Sequence, residues 1–356
     1  MGGEKEPRAL RAALVGYGNI GPVHARAVVA LRSARLAAVC DLDPARLELA
    51  RADWAAEQDP PRLLTDYAEL LSRGDIDVVH LCTPHFLHLP MAAQALRSGC
   101  HVLLEKPMAL DFAGAVELEK VWRESGRQLG LCFQNRYRPS VIEAMRLLKK
   151  EEFGKLLGIR AILAWKRDAA YYAQAKLWKG HWATEGGGVL INQAIHTIDL
   201  IQWLGGGCSY ATAIGGNLTL PGEIEVEDTA VVSMRLSGGA RAMLFATNGH
   251  VEDSPVEIEI LCARARLRID ETLRFEMPRG AEEPLAKDGM IDRPRGLSDA
   301  TRAYWGSGHA SLIADFYDCI LDGRPFPLDP TEGKKTMAIL DAAYAAIGRP
   351  QGVSYA

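Results

Sequence analysis

The chain has no uninterrupted apolar run of roughly 18 residues, so no segment reads as a membrane-spanning helix. It has no basic surplus either. Lys and Arg number 41 against 45 Asp and Glu, a net charge of −4, which leaves no field to hold a phosphate backbone and argues against nucleic acid as a partner. No CxxC pair occurs. The 7 cysteines, Cys40, Cys82, Cys100, Cys132, Cys208, Cys262 and Cys319, are odd in number and widely spaced, which excludes a disulfide scaffold and a zinc cluster. Most lie in apolar stretches and read as reduced core thiols. Met1–Arg8 is polar and lacks the apolar segment of a secretory leader, so the expected location is the cytoplasm. No internal repeat or low-complexity tract is present.

What remains is a globular mixture: 356 residues, 48% hydrophobic and 24% charged, enough for two domains at roughly 100–200 residues each. From about residue 10 to 132, short apolar runs (Ala12–Val15, Leu36–Cys40, Val78–Cys82, Cys100–Leu104, Leu129–Phe133) alternate with amphipathic stretches. Runs of that length are strands buried on both faces, and the stretches between are helices. The pattern is therefore an α/β domain with a parallel sheet, spanning 8–133. Texture changes afterwards. A helix is expected over Val141–Lys149, a strand over Leu156–Trp165, and one helix from the Gly186-Gly187-Gly188 triplet to Leu204. Even-numbered apolar residues from Ala230 to Leu236, then Gly238-Gly239 and a second alternating run to Thr247, make a hairpin. Apolar parity switches from even (Val256, Ile258, Ile260) to odd (Leu267, Ile269). A period of two cannot do that without a turn near Cys262–Ala265. With closing helices over Ser311–Leu321 and Thr331–Ala346, residues 134–356 read as an α+β domain.

The first strand runs into Gly16-Tyr17-Gly18-Asn19-Ile20-Gly21 and then a helix, the context in which G-x-G-x-x-G binds a dinucleotide. The glycines admit the tight turn and the close approach of a pyrophosphate, and the helix N-terminus faces the anion. Asp41 closes the second strand, 20 residues beyond Gly21. A carboxylate there accepts from both ribose hydroxyls and repels a 2′-phosphate. No Arg follows it directly, so the expected cofactor is NAD over NADP.

Further signals come in order: Thr83-Pro84-His85 and His88 after the third apolar run, and Glu105-Lys106-Pro107 after the fourth. Then come Gly186-Gly187-Gly188-Val189-Leu190-Ile191-Asn192-Gln193-Ala194-Ile195-His196-Thr197-Ile198-Asp199, and Gly323-Arg324-Pro325 near the end. Together these resemble the Gfo/Idh/MocA family of nicotinamide-dependent sugar and cyclitol oxidoreductases. The resemblance implies a Rossmann domain followed by a large open-faced, mainly antiparallel sheet, and C-terminal helices that pack back on the first domain. It also implies substrate between the domains and a homodimer or homotetramer. Its reaction moves a hydride between NAD and a secondary alcohol.

Such an oxidation needs a base for the hydroxyl proton. Lys106 is the first candidate, at the C-terminal edge of a parallel strand where open α/β sheets place ligands. His196 is the second, as base or as relay to Lys106. Helical spacing puts Asn192, His196 and Asp199 on one face, with Asp199 orienting the imidazole. Asn192 departs from the Asp that many members of the family carry. The resemblance places Thr83, Pro84, His88 and Glu105 on the cofactor side, Glu105 at the nicotinamide ribose. His24 is expected to pack near the pyrophosphate. Arg167, Tyr171, Tyr172, Trp178, Lys179, His181 and Trp182 crowd one segment before the glycine triplet. They suit stacking on a sugar or cyclitol and binding its polar groups, or else packing within the domain. Arg136 is a further cleft candidate. No metal is expected, because His85 and His88 lack a neighbouring carboxylate or Cys. A glycosidase working through transient oxidation and a non-catalytic NAD-sensing regulator are the alternative functions on this scaffold.

Overall fold

The computed structural model describes residues 9–174, 178–270, 272–277, 283–287 and 308–349. The polar Met1–Arg8 stretch and residues 175–177 of the aromatic segment lie outside them.

The first unit runs β1 (Leu10–Val15), α1 (Gly21–Val29), β2 (Ala34–Cys40), α2 (Pro44–Asp53), β3 (Arg62–Leu64), α3 (Tyr67–Ser72), β4 (Val78–Leu81), α4 (His88–Arg97), β5 (His101–Leu104), α5 (Phe112–Ser125) and β6 (Leu129–Leu131). All six strands are parallel, in the order β3-β2-β1-β4-β5-β6. Inner strand β4 is buried at every position between helices on both faces, and edge strand β6 is equally buried because the C-terminal helices cover it. Full burial of each Leu or Val side chain there stabilises by roughly 1.5–3 kcal/mol. Strand order reverses between β1 and β4, and the crevice beyond the strand ends at that reversal is where this architecture holds ligands.

The second unit runs α6 (Pro139–Lys149), β7 (Leu156–Ala164), α7 (Ala169–Ala173), α8 (Trp182–Glu185), α9 (Val189–Asn192), α10 (Ile195–Leu204) and β8 (Cys208–Gly216). Then come β9 (Thr229–Leu236), β10 (Arg241–Thr247), β11 (Glu257–Cys262), β12 (Arg266–Ile269), β13 (Thr272–Glu276), β14 (Glu283–Lys287), α11 (His309–Asp322) and α12 (Pro330–Ile347). The eight strands form one sheet, β14-β13-β12-β11-β7-β10-β9-β8, antiparallel at every pair but β7–β10. Both expected hairpins are present, Ala242 opposite Met234 and Ile260 opposite Leu267. The even residues of β9 and β10 point inward under helices, while Tyr210, Ile214 and Met243 stand exposed on the outer face.

Two expectations change. β3 has only three half-buried residues at the sheet edge and shows no apolar run in the sequence. The single helix from the glycine triplet is two helices. Gln193 and Ala194 both donate to the Val189 carbonyl, at 3.1 and 2.8 Å, which widens the turn and resets the helical phase.

The last helices return to the first unit. α11 lies against α1, and α12 lies against α5 and β8. Leu131 N–H donates to the Leu328 carbonyl at 2.9 Å. Phe316 and Phe326 press on β6 so closely that a Cβ on Gly130 would stand 2.8–2.9 Å from their rings. All 7 cysteines are free, with Cys82 and Cys208 half-buried and the rest buried.

Candidate active site

The glycine turn is built for close contact. Gly16 has φ +92°, and a Cβ there would stand 2.5 Å from the Cys82 carbonyl oxygen. At Gly21 a Cβ would meet the Gly16 carbonyl at 2.3 Å. Gly18, by contrast, opens on empty space: nothing lies within 4 Å of its Cβ position. α1 begins at Ile20 with no side-chain cap, and the nearby Thr83 hydroxyl is buried without a partner. Exposed Asn19 completes a concave, donor-rich turn that fits a pyrophosphate. Asp41 Oδ2 accepts from Tyr17 N–H at 2.7 Å and Oδ1 from Asp43 N–H at 2.9 Å, so the carboxylate anchors the turn. Each oxygen retains a second lone pair for a ribose hydroxyl. Capping of α2 falls to Asp43, which accepts from Ala45 N–H at 2.9 Å.

Lys106 follows β5, and its Nζ donates to the Asn192 carbonyl at 2.7 Å, joining the two units. Burial lowers its proton affinity to about 8, resisted in part by the charge of Glu105. His196 is one turn beyond Asn192. Its Nδ1 is buried with no partner, and its ring stands edge-on to Phe133 at 6.0 Å between centroids. Burial, then the charge of Lys106, depresses its pKa to about 3, so the imidazole is neutral and close enough to feel the lysine. Lys106, Asn192 and His196 are partly open, while residues 105, 107, 191, 193, 195 and 197 are buried. The fold thus brings the three close together, each partly accessible.

Asp199 does not join them. Past the widened turn it points the other way and takes two bonds from Arg136, at 2.6 and 2.7 Å, and one from Thr336 at 3.0 Å. That corrects two expectations at once: Asp199 does not orient His196, and Arg136 is a buried structural cation, not a cleft residue. Glu105 is corrected as well. Its carboxylate is buried, one oxygen 3.0 Å from His24 Nε2 and 3.7 Å from His309 Nε2 and the other accepting from the Lys106 main-chain N–H at 3.2 Å, so both are engaged within the protein. Burial opposes its charge, but these two histidines hold its pKa well below the usual range. His24 continues the network to His80 at 3.0 Å and, through it, to the Tyr317 hydroxyl at 2.9 Å. His24, Glu105 and His309 bring three ligating atoms within 4.8 Å of one another. Sequence spacing could not show this, since the three lie on separate elements. His88 is fully buried and staples loops, its ring nitrogens 2.6 Å from the Pro107 carbonyl and 2.8 Å from that of Thr83. It is not a cofactor contact. Thr83 and Pro84 remain half-open at the end of β4.

The aromatic segment divides. Arg167 is buried and held by Asp253 at 2.8 Å, Tyr172 is buried with its hydroxyl accepting from Asn248 at 3.1 Å, and Trp182 donates to the Glu225 carbonyl at 2.9 Å. Those three pack within the domain and do not line an opening. Tyr171 and Trp178 stay half-open. Trp178 lies 4.7 Å from the His85 ring, and the Tyr171 hydroxyl is bonded by Lys179 and, at 3.4 Å, by Gln193. His181 pairs with Glu225 at 3.1 Å. Two acids went unnoticed in the sequence: Glu185, against Asn192, and Glu227. The second accepts from Gly188 and Leu190 N–H at 2.8 and 2.9 Å and ties down the glycine triplet.

A dinucleotide turn at the switch point of a parallel sheet, on a chain with a buried lysine at the end of β5, fits a nicotinamide-dependent oxidoreductase. Residues 10–133 match the family model of an oxidoreductase family with an NAD-binding Rossmann fold, and residues 141–268 match the GFO/IDH/MocA C-terminal domain. The chain belongs to the Gfo/Idh/MocA family and is an NAD-dependent oxidoreductase. Inositol 2-dehydrogenase of Rhizobium meliloti (strain 1021) is 23% identical over 354 residues, 98% of this chain and 99% of that one. The WlbA dehydrogenase of Bordetella pertussis, solved with NADH and UDP-GlcNAcA, is 26% identical with a TM-score of 0.80, covering 95% of this chain and 96% of that one. Its Chromobacterium violaceum namesake, solved with the same two molecules, is 28% identical with a TM-score of 0.80, covering 95% and 94%.

Proposed function

We propose that the protein oxidises a secondary alcohol of a sugar or sugar nucleotide, with Lys106 taking the hydroxyl proton. The observation that supports this reading is the bond of 2.7 Å from Lys106 to Asn192 across the two domains, with His196 one turn further on and all three partly exposed. NAD, when bound, supplies the acceptor for the hydride. Gly16, Gly18, Asn19, Ile20 and Gly21 hold its pyrophosphate, with Thr83 and Pro84 alongside. Of the two bases, Lys106 is matched to the task. An amine titrating near 8 is partly free at neutral pH, whereas an imidazole titrating near 3 is too weak a base. Neutral His196 instead orients the hydroxyl, as does the Asn192 amide. Tyr171 and Trp178 offer half-open rings to the faces of a sugar. Exposed Tyr210, Ile214 and Met243 on the sheet's outer face support pairing of subunits through that face.

The test is NADH formation across UDP-linked uronates and hexosamines, free aldoses, inositols and nitrophenyl glycosides. NADH with a keto product from the sugars or nucleotide sugars is expected. Release of nitrophenol without NADH would instead establish the glycosidase alternative, and NAD binding without turnover of any compound the regulator. Asp41→Ala is expected to raise the KM for NAD by about one to two orders of magnitude and to narrow the preference over NADP, through loss of two charge-assisted bonds and of the repulsion toward a 2′-phosphate. Wild-type preference for NADP would overturn the assignment of Asp41.

A further inference from the structure

Asn192 carries no charge, yet a carboxyl group stands directly behind it. Glu185 ends α8 and is 1% exposed. One of its oxygens accepts from Gly180 N–H at 2.6 Å and the other from the Asn192 side-chain amide. One amide N–H is thereby committed to Glu185, and the other N–H and the amide oxygen are left for other partners. The main-chain carbonyl of the same Asn192 receives Lys106 Nζ at 2.7 Å, so two consecutive bonds join acid and amine through one residue.

We propose that Glu185 is a positioning residue of the active site, orienting the Asn192 amide and stabilising the ammonium that Lys106 becomes on taking the substrate proton. The inference rests on the dehydrogenase function proposed for Lys106. The proton balance is simple: the O–H bond of the substrate breaks, the N–H bond forms on Lys106, and Glu185 acts by charge without receiving that proton. The charged and titratable groups facing the Glu185 carboxylate are Lys106, Lys179 and Tyr172, while His85 bonds the main-chain carbonyl of Glu185 at 2.8 Å. Burial raises its own titration to about 7, while the two lysines and the bonds from Gly180 and Asn192 pull it back. It is therefore largely ionised at the pH where Lys106 works.

Glu185→Gln keeps the size and removes the charge. Without a carboxylate favouring the ammonium, Lys106 loses its proton more readily. The limb of kcat/KM that rises with pH should therefore move to lower pH, by a fraction of a unit, since Glu105 remains the nearer opposing charge. The plateau of kcat should fall about tenfold while NADH binding, followed by fluorescence, stays within twofold. An unmoved limb with wild-type kcat overturns the proposal. Asn192→Asp alone sets two acids against each other, whereas Glu185→Gln with Asn192→Asp restores an acid–amide pair with the roles exchanged. Recovery of most of the lost kcat in the double variant is expected, and losses that simply multiply would refute the pairing. A readout without substrate separates this proposal from the function it rests on. The protonated-carboxyl band in infrared difference spectra, titrating near pH 7, should lose one component in Glu185→Gln and keep that of Glu227, which burial also raises to about 7. An unchanged spectrum counts against the proposal. Wild type without turnover on any sugar, but with the band lost in the variant, faults the function instead.

Discussion

Replacing Lys106 by methionine is expected to lower kcat by about three orders of magnitude, within the range general-base groups contribute, while NADH binds within a few-fold of wild type. Methionine fills nearly the same volume, so the loss reports the amine. The sign of the pH dependence follows from the direction of the shift. Burial lowers Lys106 to about 8, and the neutral amine is the active form. Oxidation should therefore rise with pH, reach half its plateau near 8, and be weak where the ammonium dominates. In Lys106→Met that limb should vanish, and small primary amines added to the Lys106→Ala variant should restore part of the rate. Turnover of Lys106→Met within threefold of wild type would transfer the base role elsewhere.

The largest expected loss of stability lies at Arg136. Its guanidinium, 6% exposed, makes paired bonds of 2.6 and 2.7 Å to Asp199 and a third of 3.1 Å to Glu332. Arg136→Met leaves Asp199, 1% exposed, as a buried charge without its counter-ion. Breaking such a pair from one side costs about 3–5 kcal/mol, mostly the penalty of the stranded charge. Removing both ends, Arg136→Met with Asp199→Leu, should recover at least half of that. Denaturant unfolding of the two single variants and the double one measures it. A single-variant loss under about 1 kcal/mol would show that water reaches the pair. The difference in kind from Lys106 is useful: one variant is an inactive folded protein, the other an unstable one.

How much of this was legible beforehand depended on whether the signal was local. Strands β1, β4, β5 and β6 were readable because burial on both faces leaves continuous apolar runs, and β11–β12 because a change of parity demands a turn. The glycine turn was readable because strand, glycines and helix are contiguous. Asp199 was misplaced for a physical reason. Helical spacing assumes constant phase, and the two hydrogen bonds from Gln193 and Ala194 to the one Val189 carbonyl break it between Asn192 and Ile195. Arg136 looked like a site residue from its place after a strand, and Glu105 from the resemblance of Glu-Lys-Pro to the family motif. What turned them inward were partners far off in sequence, Asp199 in one case and His24 with His309 in the other. Glu185 carried no pattern at all: an acid before three glycines means nothing until its neighbours in space are known. Trp182 and Tyr172 show the same limit, since an aromatic that stacks on sugar and one that packs on Tyr344 or Asn248 have the same letter.

The return of the C-terminal helices to β6 bears on anyone hoping to use the nucleotide half as a transplantable part. Cut after residue 133, it would leave the flank of β6 without Phe316, Phe326 and the Leu328 carbonyl, and His80 without Tyr317. A fragment so trimmed would present an oily, half-wired edge to solvent and would be prone to clump. Grafts and chimeras should carry 308–349 along with 9–133, spliced by a linker that skips the sheet.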